Sequence, residues 1–293
     1  MADQRSAFEA RKHQVISSLV EALDPERRDK SPKGFIDAPI LDLIHVINEH
    51  PDYYTTSSCS GRIAIYCEGL EDDSDTTTTK GGTWLYVTHD PVNIPPNADN
   101  EWILQLLFGQ ERDRVVLGSA CDELTTTLMK WQMIYFKFEP LILHVESASL
   151  EASMRLNSLA FQAGYQNSGI TPSRTREMLA IRSTHKLDTP IAYIHPSTKK
   201  IHCIVDPGYL FLLMHMSNEK FAQNADRMKL FEETMKKEVN AKKTELATET
   251  KEQRKERKRR EGLARREALA KSDTPHSNST LDDPIDIGSL SLE

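Results

Sequence analysis

The stretch Tyr53-Tyr54-Thr55-Thr56-Ser57-Ser58-Cys59-Ser60-Gly61-Arg62 concentrates the residue types best suited to chemistry in this 293-residue chain. Small hydroxylated side chains beside a glycine let backbone N–H groups turn toward a ligand. Arg62 adds a planar guanidinium fork for a carboxylate or a phosphate. The same run also suits a Ser/Thr-rich β-turn with a surface arginine, because these residues fill turns for local reasons. Upstream, Ser31, Lys33 and Gly34 sit in Asp29-Lys30-Ser31-Pro32-Lys33-Gly34, either a phosphate-contacting loop or a solvated turn. Asp37 is a helix cap on one reading and a proton acceptor on the other. Cys59 reads as a half-buried thiol or a nucleophile, although Arg62 follows too closely for a loop that wraps an anion between Cys and Arg. His144 ends an apolar stretch, where a satisfied core or edge histidine is the commoner role. Ser168-Gly169, following a helix and Tyr165, suits a turn.

Familiar catalytic signatures are missing. No two glycines have the GxG spacing of a dinucleotide fold, and no GxxxxGK[ST], HExxH or paired CxxC occurs. The four cysteines, Cys59, Cys67, Cys121 and Cys203, are scattered, which argues against a disulfide framework or a zinc ribbon. No run approaches the 18 apolar residues of a membrane span. The amphipathic, charged start lacks the apolar segment of a signal peptide. Together these predict a reduced, soluble, cytoplasmic protein, with the nucleus left open by the basic run Lys251–Arg260.

The elements that must position these residues are read from periodicity. Phe8, Val15, Ile16, Leu19, Val20 and Leu23 predict a first amphipathic helix. Asp37-Ala38-Pro39 opens a second, closed at His50-Pro51. Residues 53–58 and 63–66 read as strand, turn, strand, and Thr83–Thr88 as the next strand with His89-Asp90 at its end. Glu101–Phe108 and Ser149–Ala163 are helical, the latter stopped by Gly164. Lys137–Val145 reads as one buried strand in which Pro140 implies an edge or a bulge. Strands are expected at 178–184, 191–194 and 201–205. The order lacks a regular βαβ rhythm and predicts an α+β fold with a mixed sheet flanked by helices. After Pro207-Gly208 a long helix begins, with Phe221, Ala225, Met228, Phe231, Met235 and Val239 as its buried stripe.

Charge divides the chain further. Residues 1–218 hold 20 basic against 28 acidic residues, residues 219–271 hold 17 against 11, and residues 272–293 hold five acids and no Lys or Arg. This predicts a domain over 1–239, a basic polar helical extension over 240–271 and an acidic disordered tail over 272–293. A polyanion would have to find local basic patches or the extension.

Taken in order, DKSPKGFIDAPILDLIHVINEHPDYYTTSSCSGRIAIY, Trp84–Asp90, Glu139–Val145 and Ala163-Gly164-Tyr165 through Ser168-Gly169-Ile170 closely resemble the tRNA wybutosine-synthesizing protein 3 family. The resemblance extends over residues 5–240. The acidic Thr-rich segment at 71–80 and the stretch 109–130 look like insertions. The resemblance implies a fold unlike the Rossmann methyltransferases, in keeping with the missing glycine fingerprint. It implies S-adenosylmethionine-dependent N4-methylation of the tricyclic wybutosine precursor at the guanosine 3′ of the anticodon in tRNA-Phe. Other enzymes of that pathway would be partners, and no metal is needed. On this reading Asp37 accepts a proton. Ser31, Lys33 and Gly34, Ser57 to Arg62, His89, His144, Ser168 and Gly169 bind cofactor or substrate. A non-catalytic RNA-binding module gripping phosphates with the same turn is the alternative.

Overall fold

A computed structural model describes residues 2–22, 37–69, 82–118, 131–171, 175–248 and 251–272. Residues 4–247 make one compact unit, and residues 248–293 with 1–3 make another. In the larger unit, helix α1 (Ala2–Ala22) precedes a 3-10 turn at Ala38–Ile40 and helix α2 (Leu41–Glu49). Strands β1 (Tyr53–Cys59), β2 (Arg62–Cys67) and β3 (Thr83–Thr88) follow, then α3 (Asn100–Phe108) and β4 (Val115–Val116). Next come β5 (Gln132–Glu139), β6 (Ile142–Ser147), α4 (Leu150–Gln162), β7 (Gly169–Thr171), β8 (Glu177–Arg182), β9 (Leu187–Ile194) and β10 (Ile201–Cys203). Helix α5 (Pro207–Thr248) closes this part of the chain, and α6 (Lys251–Ser272) belongs to the second unit.

Local sequence explains several boundaries. Asp99 accepts from the Trp102 N–H at 2.8 Å and Ser149 from the Ala152 N–H at 3.2 Å, capping α3 and α4. Gly164, at φ +94°, ends α4 in the left-handed region that L side chains resist.

The α+β class and the mixed character of the sheet are borne out, with the strands divided between two sheets. One is antiparallel in the order β1-β6-β8-β7, and the other runs β3-β2-β5-β9-β10-β4, mixed through the parallel β10–β4 pair. Each sheet has its own core. The first sheet buries Leu143, Val145, Leu179 and Ile181 against Ile44 and Ile47 of α2, Leu156 and Ala160 of α4, and Phe231 and Met235 of α5. The second buries Ile63, Ile65, Phe136 and Phe138 against Ile103 and Leu107 of α3 and Leu210 and Met214 of α5. Thus α5 runs along both cores.

Three local expectations change. Lys137–Val145 is not one strand: Pro140, which has no N–H for a ladder, separates β5 in one sheet from β6 in the other. Likewise β1 and β2, read as strand-turn-strand, do not pair with each other but lie in different sheets, with Ser60-Gly61 as the crossing. On α5 the buried stripe contains Asn224 in place of Ala225, which is exposed. Asn224 has a reason to be there. Its Nδ2 donates to the Ser60 carbonyl at 2.7 Å and its Oδ1 accepts from the Leu141 N–H at 2.9 Å, so one side chain ties both crossings. Arg227 Nη1 donates to Ser183 Oγ at 2.8 Å and holds a third, between β8 and β9.

Candidate active site

Asp37 stands at the start of the 3-10 turn, yet its side chain makes no cap hydrogen bond there. Its Oδ2 instead accepts from the backbone N–H of Ser60 at 2.8 Å and from Ser60 Oγ at 2.9 Å. The side chain is 7% exposed, so this pair of donors replaces much of the water the carboxylate has lost. His89, just past β3, brings Nδ1 to 3.3 Å from the same oxygen. Cys59 Sγ lies 3.7 Å from that nitrogen. Segments 22 and 30 residues from Cys59 in sequence thus meet at the β1–β2 crossing. One ligand atom from each of Asp37, Cys59 and His89 falls within 4.8 Å of the others, a spacing that also suits a divalent cation.

Gly61 makes the crossing possible. It has φ +127°, and a Cβ there would meet the Glu139 carbonyl at 3.1 Å and Asn224 Nδ2 at 3.3 Å. With the Ser60 N–H and hydroxyl directed to Asp37, Ser60 supports the carboxylate.

Farther along β1, Ser57 Oγ is 2.9 Å from His144 Nδ1 on the neighbouring β6. Arg182 Nη2 lies 3.3 Å from His144 Nε2. A guanidinium only donates, so Nε2 accepts, and the neutral ring carries its proton on Nδ1 and donates to Ser57. Burial first, then the Arg182 charge, push the His144 pKa below the usual histidine value, which favours that neutral form. Ser168 Oγ accepts from the Arg182 N–H at 3.1 Å, and Gly169 pairs with Ala180. Ser57 and Cys59 are two residues apart on one strand and share a face, so about 7 Å separates the two groups. That face opposes the core formed by Leu143 and Val145.

Arg62 opens β2, where Nε donates to Glu139 Oε2 at 2.5 Å and the guanidinium lies 4.8 Å from the Trp84 ring centroid. Ser58 is exposed on β1. Ser31, Lys33 and Gly34 lie outside the described residues. Sequence reasoning missed Arg182, Glu139, Trp84 and Asn224 as neighbours of these groups. Glu139 and Trp84 lay within the family-like segments, whereas Arg182 and Asn224 carried no motif. Two other thiols are chemically quiet: burial drives Cys67 up to about 11 and raises Cys203.

The family described as Methyltransferase TYW3 matches residues 10–237. The tRNA wybutosine-synthesizing protein 3 of Schizosaccharomyces pombe is 32% identical over 234 residues, covering 80% of this chain and 88% of that protein. The Saccharomyces cerevisiae protein of the same name is 33% identical over 240 residues, covering 80% and 83%. A "tRNA wybutosine-synthesizing protein 2/3/4" of Arabidopsis thaliana is 38% identical over 224 residues, but the chain spans only 20% of its length. The solved structure of PH1069 protein from Pyrococcus horikoshii matches with a TM-score of 0.54 at 23% identity, covering 80% of this chain and 98% of that one, a likeness of fold. No described helix is long and apolar enough to cross a membrane. The match over residues 10–237, with relatives matched over most of their length, places this chain in the TYW3 methyltransferase family.

Proposed function

We propose that this chain methylates N4 of the tricyclic wybutosine precursor at the guanosine 3′ of the anticodon in tRNA-Phe, with S-adenosylmethionine as methyl donor. The family match and the two yeast relatives, each a tRNA wybutosine-synthesizing protein 3, support the reaction class and the tRNA substrate. The observation that carries the site is the buried Asp37 carboxylate, held by two Ser60 donors beside His89 and Cys59.

When bound, S-adenosylmethionine supplies an electrophilic methyl on a sulfonium. The protein's task is then alignment, plus removal of the proton that the ring nitrogen gives up. Asp37 accepts that proton, and Ser60 fixes its orientation. The donor set suits such a methyl donor: the hydroxyl of Ser57 offers a partner for a sugar hydroxyl, and Arg182 offers a cation for an amino-acid carboxylate. Arg62 pairs a carboxylate or a tRNA phosphate, in exchange for its contact to Glu139. His89 is assigned to cofactor or substrate contact beside Asp37, and His144, Ser168 and Gly169 to the same role around Arg182. Ser31, Lys33 and Gly34 are assigned to phosphate contact on the sequence resemblance. Cys59 packs against His89.

The test is mass spectrometry of nucleosides from tRNA-Phe of cells lacking the gene. The reading expects a species one methyl lighter, converted by purified protein and S-adenosylmethionine. Fully modified tRNA in those cells, or no conversion in vitro, would refute it.

A further inference from the structure

The outer face of the six-stranded sheet carries a row of flat side chains that the methyl-transfer chemistry leaves unused. Side chains alternate along a strand. Ile63 and Ile65 of β2 and Ile134 and Phe136 of β5 enter the core, so Tyr66 and Tyr135 point away from it. The register sets them side by side. Tyr66 pairs with Trp84 of β3 on one flank and with Tyr135 on the other, and Tyr135 pairs with Pro190 of β9. The Trp84 and Tyr66 rings are 4.8 Å apart between centroids. Trp84 stays 43% exposed, Pro190 is exposed, and Tyr66 and Tyr135 are half-buried. Two cations sit on these rings: the Arg62 guanidinium lies 4.8 Å from the Trp84 centroid, and Lys137 Nζ lies 5.4 and 5.2 Å from those of Tyr66 and Tyr135.

We infer that this row is a stacking platform for unpaired bases of the RNA, flanking the nucleotide that is methylated. The inference rests on the tRNA reading above and adds the surface that grips the loop. Four observations select this occupant. Flat rings in adjacent strands with cations set over them are what single-stranded RNA uses on a sheet, because every base offers a π-face. The row is continuous with the candidate active site through Arg62, which touches Trp84 and directly follows the Ser60-Gly61 crossing. From Arg62 to Tyr66 along β2 is about 13 Å, within reach of nucleotides adjoining one held at Asp37. Arg62 and Lys137 each already face a carboxylate, Glu139 and Asp188. The patch is therefore built for stacking more than for phosphate neutralisation.

The test uses the full chain with an unmodified RNA of the tRNA-Phe anticodon stem–loop, and the same stem as a blunt duplex for comparison. Trp84→Leu and Tyr135→Leu keep apolar bulk on the strand but remove the π-face. Each is expected to weaken stem–loop binding about 5- to 100-fold, with the dependence on salt unchanged, since no phosphate contact is lost. Trp84→Phe is expected to restore most of the affinity. Thermal melting of each variant checks that it is folded. Wild-type affinity in both leucine variants, or duplex binding as tight as stem–loop binding, would overturn the platform. Methyl transfer by the wild-type chain is assayed in parallel. A protein that binds through these rings but transfers no methyl overturns the proposed function alone. One that methylates while the leucine variants bind normally overturns the platform alone.

Discussion

Asn224 Nδ2 donates to the carbonyl of Ser60, 164 residues earlier, at 2.7 Å, while Oδ1 of the same side chain accepts from Leu141. The residue whose N–H and hydroxyl hold Asp37 is therefore itself held by the long C-terminal helix. Asn224 is 2% exposed, so neither bond can be replaced readily by water. Asn224→Ala strands a buried carbonyl and a buried N–H, and should cost about 2–4 kcal/mol in urea unfolding. Asn224→Asp restores an acceptor for Leu141 but presents a carboxylate to the Ser60 carbonyl. It should be no more stable than the alanine variant.

Removing the carboxylate while keeping its shape separates chemistry from binding. Asp37→Asn should lower the single-turnover methyl-transfer rate by about 10²–10⁴-fold, the range for losing a positioned proton acceptor. Affinity for tRNA-Phe should stay within a few-fold of wild type. Ser60→Ala retains the backbone donor to Asp37 and should lose less rate. Equal rates for Asp37→Asn and wild type would remove Asp37 from the mechanism.

Arg62 and Glu139 are each 30% exposed at their side chains, and an exposed pair contributes at most about 1 kcal/mol. Glu139→Gln should therefore leave unfolding nearly unchanged while freeing the guanidinium for an anionic ligand, seen as a lower KM. Arg62→Ala should raise the KM at limiting donor and tRNA. Full transfer by that variant would defeat the assignment.

Acid should weaken the fold. His50, His144 and His185 all have pKa values pushed below the ordinary histidine value of 6.5, with burial as the largest cause in each. The unfolded chain then binds protons near pH 6.5 that the native chain refuses until lower pH. Stability is full above that pH and falls as the pH drops through the window below it. Urea unfolding at pH 7.5 and 5.5 should show the loss. His144→Gln should flatten part of the slope, because its partners Ser57 and Arg182 no longer face a titrating ring.

Helix α6 carries 10 Lys or Arg and four Glu over Lys251–Ser272. Truncation after Thr248 should leave methyl transfer at saturating tRNA intact. If α6 contacts phosphates, truncation should weaken tRNA binding and reduce its dependence on salt. Unchanged affinity and slope would exclude it as an RNA contact.

Local patterns in the sequence were enough to reveal α4, β3 and the apolar stripe of α5, because period and punctuation are short-range properties. The ordered blocks around Asp37, Ser57–Arg62, His89 and His144 likewise exposed the family. Nothing local, however, distinguishes a turn that returns to its own sheet from one that crosses to another. Only pairing between distant strands separates β1 from β2 and β5 from β6, and that pairing turns Pro140 from a bulge in one strand into a boundary between two sheets. Asn224 is the sharpest case. Along the helix Ala225 is the apolar choice for burial, yet a buried polar side chain becomes favourable once two crossings, more than 80 residues away in sequence, present an unpaired carbonyl and N–H to it. The convergence of Asp37, Cys59 and His89 has the same origin. Sequence specified the residue types, and the tertiary fold decided which of them share a few ångströms, because long-range hydrogen bonds and core packing set the path of the chain between them.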